Sequence, residues 1–213
     1  CLVPINGKPL IEYWLENLSN VGVEHFLINT HYFKEQMEQF VLKSKFRDKI
    51  TLVYEEELLH TGGTILKNKS FFDKDPFFVV HADNLSFCDF NEFLNKHKMS
   101  KFPITMMTFL TDNPSSCGIV ELDEYGIVRN FFEKIKNPPT NLANGAVYIF
   151  DSKIFDFLEN LNKERIDIST EVLPNFIGQI ATFHNDFYHR DIGTIESYAL
   201  SQVEILKIKL DKI

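Results

Sequence analysis

Nine consecutive residues, Pro76-Phe77-Phe78-Val79-Val80-His81-Ala82-Asp83-Asn84, constrain the fold of this chain more than any other segment. Four large apolar side chains in a row suit a central strand covered on both faces, the pattern of parallel sheets in α/β proteins. The run ends on a carboxylate. In open α/β sheets, ligands bind just outside the carboxyl ends of such strands. Asp83 therefore stands where a substrate or a metal is expected, with a helix cap or a turn as the plain alternative.

The first half of the chain alternates in the same sense. Leu10, Tyr13, Trp14, Leu18 and Val21 keep helical spacing. The pattern predicts helices over 10–21, 34–42, 64–67 and 90–98, and strands over 25–29, 50–54, 77–81 and 104–110. Such alternation implies βαβ units and a mostly parallel sheet. From residue 118 the character changes. Strands over 118–122 and 126–132, joined by Asp123-Glu124-Tyr125-Gly126, form a hairpin. A strand over 146–150, helices over 152–160 and 169–177, strands over 180–183 and 187–190, and a helix over 194–211 complete the reading. No repeat, low-complexity run or linker divides the chain. The expectation is one α/β domain over residues 1–213, a mostly parallel but mixed sheet flanked by helices, with the second half built out as a ligand lid.

Charge narrows the partners. The net charge of −8 over 213 residues argues against a nucleic-acid surface, which needs basic side chains to neutralise phosphates. No apolar run approaches the roughly 18 residues of a membrane span. Cys1, Cys88 and Cys117 are far apart and form no C-x-x-C pair, so neither a zinc site nor a disulfide framework is expected, and the setting is read as reducing and cytoplasmic. The 21 phenylalanines predict a core rich in aromatic rings.

Four further clusters can carry chemistry. Glu55-Glu56-Glu57 leads into His60-Thr61-Gly62-Gly63, where glycines before a helix let a ligand approach the backbone and a helix N-terminus favours an anion or a polar base edge; a plain turn is the alternative. Glu133-Lys134 ends a strand with opposed charges, either a solvated ion pair or a carboxylate for sugar hydroxyls beside an ammonium for a phosphate. Asn144-Gly145 precedes a strand, as a turn or as a hydrogen-bonding group for a hydroxyl-rich ligand. Asp191 follows a short strand before Thr194, a good helix cap; with Asp83 it can form a two-carboxylate site for Mg²⁺.

Taken in order, these segments resemble the sugar-1-phosphate nucleotidylyltransferases, or NDP-sugar pyrophosphorylases. The matching residues are Leu2-Val3-Pro4-Ile5-Asn6-Gly7-Lys8-Pro9-Leu10-Ile11, Leu59-His60-Thr61-Gly62-Gly63, Val79–Asp83, Glu133-Lys134, Asn144-Gly145-Ala146-Val147-Tyr148 and Asp191-Ile192-Gly193-Thr194. The likeness spans the chain and is nearest to the short mannose-, heptose- or N-acetylmuramate-type enzymes. It implies the nucleotide-diphospho-sugar transferase fold and Mg²⁺-dependent transfer of a nucleoside monophosphate from an NTP to a sugar 1-phosphate. GTP is favoured, with mannose or heptose 1-phosphate as acceptor. It also implies roles: Asp83 and Asp191 at the metal; Asp83, Lys134 and Asp191 in catalysis; Glu57, Thr61, Gly62 and Gly63 at the nucleotide; Gly118, Glu133, Lys134, Asn144 and Gly145 at the sugar phosphate. Self-association is allowed for.

The chain departs from the family at Ala82 and His60, where glycines are usual, at His189, where an aromatic is usual, and at Ile195, where Pro is usual. By the resemblance, the family's first strand, its glycine-rich phosphate loop with an Arg, and a Lys would lie upstream of Cys1. The domain is accordingly expected to be truncated at its N-terminus. The alternatives kept open are a catalytically inactive nucleotide-sugar-binding or regulatory homologue, and uridylyl or cytidylyl transfer to another phosphorylated acceptor.

Overall fold

The computed structural model describes residues 1–72 and 75–210, without the side chains of 209 and 210. In chain order the elements are β1 (Pro4–Ile5), β2 (Lys8–Pro9), α1 (Leu10–Asn20), β3 (Phe26–Thr30), α2 (Lys34–Lys43), β4 (Ile50–Tyr54), α3 (His60–Lys67), β5 (Phe77–Val80), β6 (Asn84–Phe87), α4 (Phe90–Met99) and β7 (Ile104–Leu110). They continue with β8 (Gly118–Leu122), β9 (Val128–Glu133), β10 (Leu142–Phe150), α5 (Ile154–Asn160), β11 (Ile180–His184), β12 (Tyr188–Asp191) and α6 (Ile195–Leu210).

Strand β10 organises the sheet. Its second half runs antiparallel between β5 and β7, with Tyr148 opposite Val79 on one side and Met106 on the other. Its first half keeps β7 but has β8 as its other neighbour, where Ala143 faces Ile119. The register shifts between Asn144 and Tyr148, so a bulge marks the point where the neighbour changes. β11 joins β7 in parallel and β9 joins β8 in a hairpin. Thus β5, β7 and β11 share one direction and β10 runs against them. The parallel pair β3–β4 forms its own ladder, Phe26 opposite Ile50 through Thr30 opposite Tyr54. Among the described residues, β3 and β5 each pair along a single edge.

Alternation along β10 builds two layers of core. Val147 and Ile149 point to the face covered by α1 and α4, where Trp14, Leu18, Phe90, Phe93, Met107 and Phe183 are buried. Tyr148 and Phe150 point to the other face, against Ile65 of α3 and Ile154, Phe155 and Leu158 of α5. Each such side chain contributes about 1.5–3 kcal/mol by leaving water. The expected aromatic core is present: Phe93 stacks on Phe183 with ring centroids 4.9 Å apart, and Phe77 on Phe155 at 5.8 Å.

Helix α1 begins where Leu10 N donates to Val3 O and Ile11 N to Cys1 O, which satisfies two first-turn donors that have no partner within the helix. Its Trp14 Nε1 donates to Asn84 O at 2.7 Å and so fixes the start of β6. At the other end of the chain, α6 closes on the beginning. Tyr198 Oη and Gln202 Nε2 both donate to Pro4 O at 2.8 Å, and Asn6 N donates to Gln202 Oε1 at 2.7 Å.

Three local expectations are corrected, and one strand was not expected. α3 begins at His60, so both glycines lie inside its first turn instead of preceding it. The helix expected over 169–177 is a π-helical turn, Ile168–Val172, followed by a 3₁₀ turn, Leu173–Phe176; Pro174 lacks the N–H that a continuous helix needs. β10 starts at Leu142, four residues before the expected strand, because the bulge carries it past Asn144-Gly145. Short β6 escapes a reading based on periodicity. The expected reach of the last helix to residue 211 lies outside the described residues.

Candidate active site

After β5 the chain turns at Ala82-Asp83, with Asn84 N donating to His81 O at 3.1 Å, and returns as β6. β12 pairs antiparallel with β6 in a register that sets Asp191 opposite Asn84, and Ile192 N donates to Asp83 O at 2.9 Å. The ladder thereby brings Asp83 and Asp191 to the same end of the β6–β12 ribbon, both exposed. The Asp191 carboxylate accepts from Gly193 N, and its main-chain oxygen accepts from Ser197 Oγ. A Cβ on Gly193 would sit 2.7 Å from Asp191 Oδ1, so any larger residue there would push the carboxylate aside.

Among the described residues, neither carboxylate forms an ion pair with Lys or Arg, and no cluster of three or more His, Cys, Asp or Glu is placed to hold a metal. Two accessible carboxylates without a cationic partner are an incomplete set of hard oxygen donors. They suit Mg²⁺, which keeps several waters and shares a ligand's phosphate, and do not suit an ion needing a full protein cage.

The β10 bulge forms the next wall. Asn144 Oδ1 accepts from Ala146 N at 2.9 Å while Nδ2 donates to Tyr148 Oη at 2.7 Å. Ala146 adopts φ 51°, a left-handed conformation that L-residues adopt at a cost. Gly145 is buried: its carbonyl accepts from Asn84 Nδ2 at 3.3 Å, and a Cβ would lie 3.3 Å from Met107 O and 3.4 Å from His189 Cε1. His189 is half-buried, hydrogen-bonded to Ser86 Oγ and packed on the Phe109 ring at 4.2 Å; loss of water around it pushes its pKa down to about 4. A neutral imidazole thus fills the place where the family usually has an aromatic.

Tyr148 is 1% exposed, and burial pushes its hydroxyl well above the usual tyrosine pKa. Asn144 and Ser169 are its hydrogen-bonding neighbours, and Glu133 and Asp167 the negative groups near it. Glu133 is raised from the ordinary glutamate value, first by burial; Lys134 opposes this and Asp167 adds to it. Gly118 pairs with Glu133 across the β8–β9 ladder, and a Cβ there would stand 2.8 Å from Glu133 Oε2. The carboxylate therefore lies over a bare Cα. Lys134, at φ 48°, turns outward with Nζ 3.8 Å from Glu133 Oε1.

The 57–63 turn is arranged differently from the expectation. His60, where the family usually has Gly, adopts φ 59°. Thr61 Oγ1 is 3.2 Å from His81 Nε2, and the exposed Glu57 pairs with exposed Arg165. The N–H groups of Gly62 and Gly63, expected to face a nucleobase, both donate to Ile166 O, at 2.9 and 3.3 Å. Behind them, buried Glu55 accepts from Thr64 Oγ1 and from Leu59 N at 3.2 Å.

Asp83, Asn144, Gly145 and Asp191 are thus joined through β6 and the bulge, and Glu133 and Asn144 share the surroundings of Tyr148. Glu57 and Thr61 lie on a separate turn that reaches β5 through His81. Sequence reasoning gave no role to Asp167 or Ser169, nor to Tyr148 beyond its place in the Asn144–Tyr148 match; Asp167 and Ser169 lie near the Tyr148 hydroxyl in the fold. Asp167 carried a legible signal: it caps the following turn, accepting from Thr170 N at 2.8 Å. No periodicity announces a π-turn.

A family model described as "Nucleotidyl transferase" matches residues 1–207. The chain is 26% identical over 216 residues to "Mannose-1-phosphate guanylyltransferase" of Mycobacterium tuberculosis, covering 97% of this chain and 58% of that protein. It is 32% identical over 220 residues to "Probable mannose-1-phosphate guanylyltransferase 1" of Oryza sativa subsp. japonica, covering 100% of this chain and 59% of that protein. The chain therefore spans somewhat over half the length of these curated relatives. Among solved structures, HddC from Yersinia pseudotuberculosis, complexed with GMP-PN, superposes with a TM-score of 0.80 at 24% identity, covering 96% of this chain and 88% of that one. That likeness shows a shared fold.

Proposed function

Because the chain belongs to the nucleotidyl transferase family, we propose that its site moves a guanylyl group from GTP to a sugar 1-phosphate of the mannose or heptose class, releasing pyrophosphate. The observation that carries this reading is the placement of Asp83 and Asp191 at one end of the β6–β12 ribbon, beside the Asn144–Ala146 bulge. A pure binding module has no need of two exposed carboxylates at one ribbon end, neither of them paired with Lys or Arg among the described residues.

In the proposed reaction, a phosphate oxygen of the sugar 1-phosphate attacks the α-phosphorus of the triphosphate, the bond to the β-phosphate bridging oxygen breaks, and pyrophosphate leaves with that electron pair. Such chemistry needs positioning and charge neutralisation more than a protein nucleophile. Asp83 and Asp191 would hold Mg²⁺, which supplies Lewis-acid stabilisation of phosphate charge when bound. Lys134 offers its ammonium to the sugar phosphate. Glu133, held over Gly118, and the Asn144 side chain orient the sugar hydroxyls. Tyr148, fixed by Asn144, and Asp167 with Ser169 extend the same wall. The nucleotide side is the 57–61 turn.

The direct test is pyrophosphate release with each of four nucleoside triphosphates against mannose, heptose, glucose and N-acetylmuramate 1-phosphates. GTP with mannose or heptose 1-phosphate should give the highest kcat/KM. A preference for another base changes the nucleotide assignment, and no turnover with any pair contradicts the transfer reading.

A further inference from the structure

The two glycines of α3 carry a constraint that a nucleotide contact leaves unexplained. Gly62 N and Gly63 N both donate to Ile166 O, and Ile166 N donates back to Leu59 O at 3.0 Å. One helical turn is thereby spliced to a single residue of the segment after α5. The fit is close on the side-chain side too. A Cβ on Gly62 would lie 2.7 Å from Ile166 Cγ2 and 2.9 Å from Ile166 O; a Cβ on Gly63 would lie 2.1 Å from Glu164 O. An alanine at either position must displace residues 164–166.

N–H groups already donated to a backbone carbonyl are not free to bind a base edge or a phosphate. What the splice fixes is its own sequel. Immediately after Ile166, Asp167 caps the π-turn Ile168–Val172, and Ser169 lies against the Tyr148 hydroxyl that Asn144 holds. π-turns are rare in proteins and frequent at functional sites. Thr61 points elsewhere, to His81. The Thr61-Gly62-Gly63 run is therefore divided between two jobs.

We propose that Gly62 and Gly63 are positioning residues for the sugar side of the pocket, acting through Ile166 on Asp167 and Ser169, and make no contact with the nucleotide. This rests on the reading of the site as a sugar-1-phosphate nucleotidyltransferase. It assigns to the acceptor subsite two residues that the motif alone assigns to the nucleotide.

The test is a split between substrates on the full chain. Gly62→Ala should raise KM for mannose 1-phosphate about tenfold or more and leave KM for GTP within about twofold, since displacements near 1 Å carry penalties up to about 10²-fold. Gly63→Ala meets backbone and can block folding. Ile166→Leu is therefore the second variant: it keeps the buried volume while moving the branch away from Gly62, and should show the same split. Equilibrium binding of GTP alone and of mannose 1-phosphate alone gives the comparison independently of turnover. A folded Gly62→Ala or Ile166→Leu that weakens GTP as much as the sugar phosphate, or weakens neither, overturns the proposal. A wild-type chain that binds both ligands but releases no pyrophosphate, with variants that show the split in binding, leaves the splice standing and overturns the transfer reading instead.

Discussion

Asn144 donates its side-chain amide to the hydroxyl of Tyr148, four residues on in the same strand, across a bulge where β10 exchanges β8 for β5 as its neighbour. In a regular strand, residues four apart lie on one face but about 13 Å from each other. The left-handed Ala146 shortens that path, and a polar group reaches the buried phenol from the pocket side. Core stability and the shape of the candidate sugar site are thus set by one contact.

Asn144→Ala should cost about 1–3 kcal/mol of unfolding free energy, because the Tyr148 hydroxyl stays buried after losing its donor. Tyr148→Phe leaves only the half-buried Asn144 amide without its partner, a group that can turn to water, and should cost less. Urea denaturation of the two variants checks the order; a larger loss for Tyr148→Phe would contradict it.

Gly118→Ala and Gly193→Ala should each displace a carboxylate, the first together with the Phe131 ring, whose Cζ would lie 2.7 Å from the new methyl. The first places a methyl 2.8 Å from Glu133 Oε2 and the second places one 2.7 Å from Asp191 Oδ1. Gly118→Ala should raise KM for the sugar phosphate, and Gly193→Ala should lower kcat by about tenfold or more. Steady-state kinetics with each substrate varied in turn separates the two.

Glu133 should weaken the fold at neutral pH. Its folded-state pKa is raised, first by burial, so the folded chain binds a proton more tightly than the unfolded chain does. The penalty is fully present above the folded value and vanishes once pH falls below the unfolded glutamate value, near 4.3. Glu133→Gln should therefore raise the melting temperature at pH 7, with the gain shrinking on acidification, while turnover falls. A gain that grows toward acid would contradict the assignment.

Buried Glu55 should hold α3 in place. It accepts from the Thr64 hydroxyl and from Leu59 N, so Thr64→Val leaves a buried carboxylate with half its partners. The expected loss is about 1.5–3 kcal/mol, the worth of a hydrogen bond to a charged group. Calorimetry of Thr64→Val beside Thr64→Ser, which keeps the hydroxyl, isolates it.

Much of this was legible in the residues, for reasons that can be named. Phe77–Val80 announced a strand covered on both faces because no polar residue interrupts it, and both core layers do meet there. The place of Asp83 just beyond a core strand was legible because it ends that run. Its union with Asp191 was not readable from spacing, since it depends on β6, four residues whose polar Asn84 and Ser86 are buried among apolar neighbours. The glycines of α3 illustrate the opposite case. Their small size was visible and its cause was not: the atoms that exclude a Cβ belong to residues 164 and 166, a hundred positions away in the chain. Likewise the β10 bulge hid behind Asn144-Gly145, a pair that reads as an ordinary turn and here continues a strand.

The central claim is that Asp83 and Asp191 act together on phosphate charge. It is tested most directly by pyrophosphate release from GTP and mannose 1-phosphate in Mg²⁺, comparing the wild-type chain with Asp83→Asn and Asp191→Asn. Both aspartates are exposed, so each variant should melt within a few degrees of wild type while kcat falls about 10²-fold or more, and EDTA should abolish wild-type turnover. Near-normal turnover in either folded variant, or turnover that survives chelation, would contradict the account.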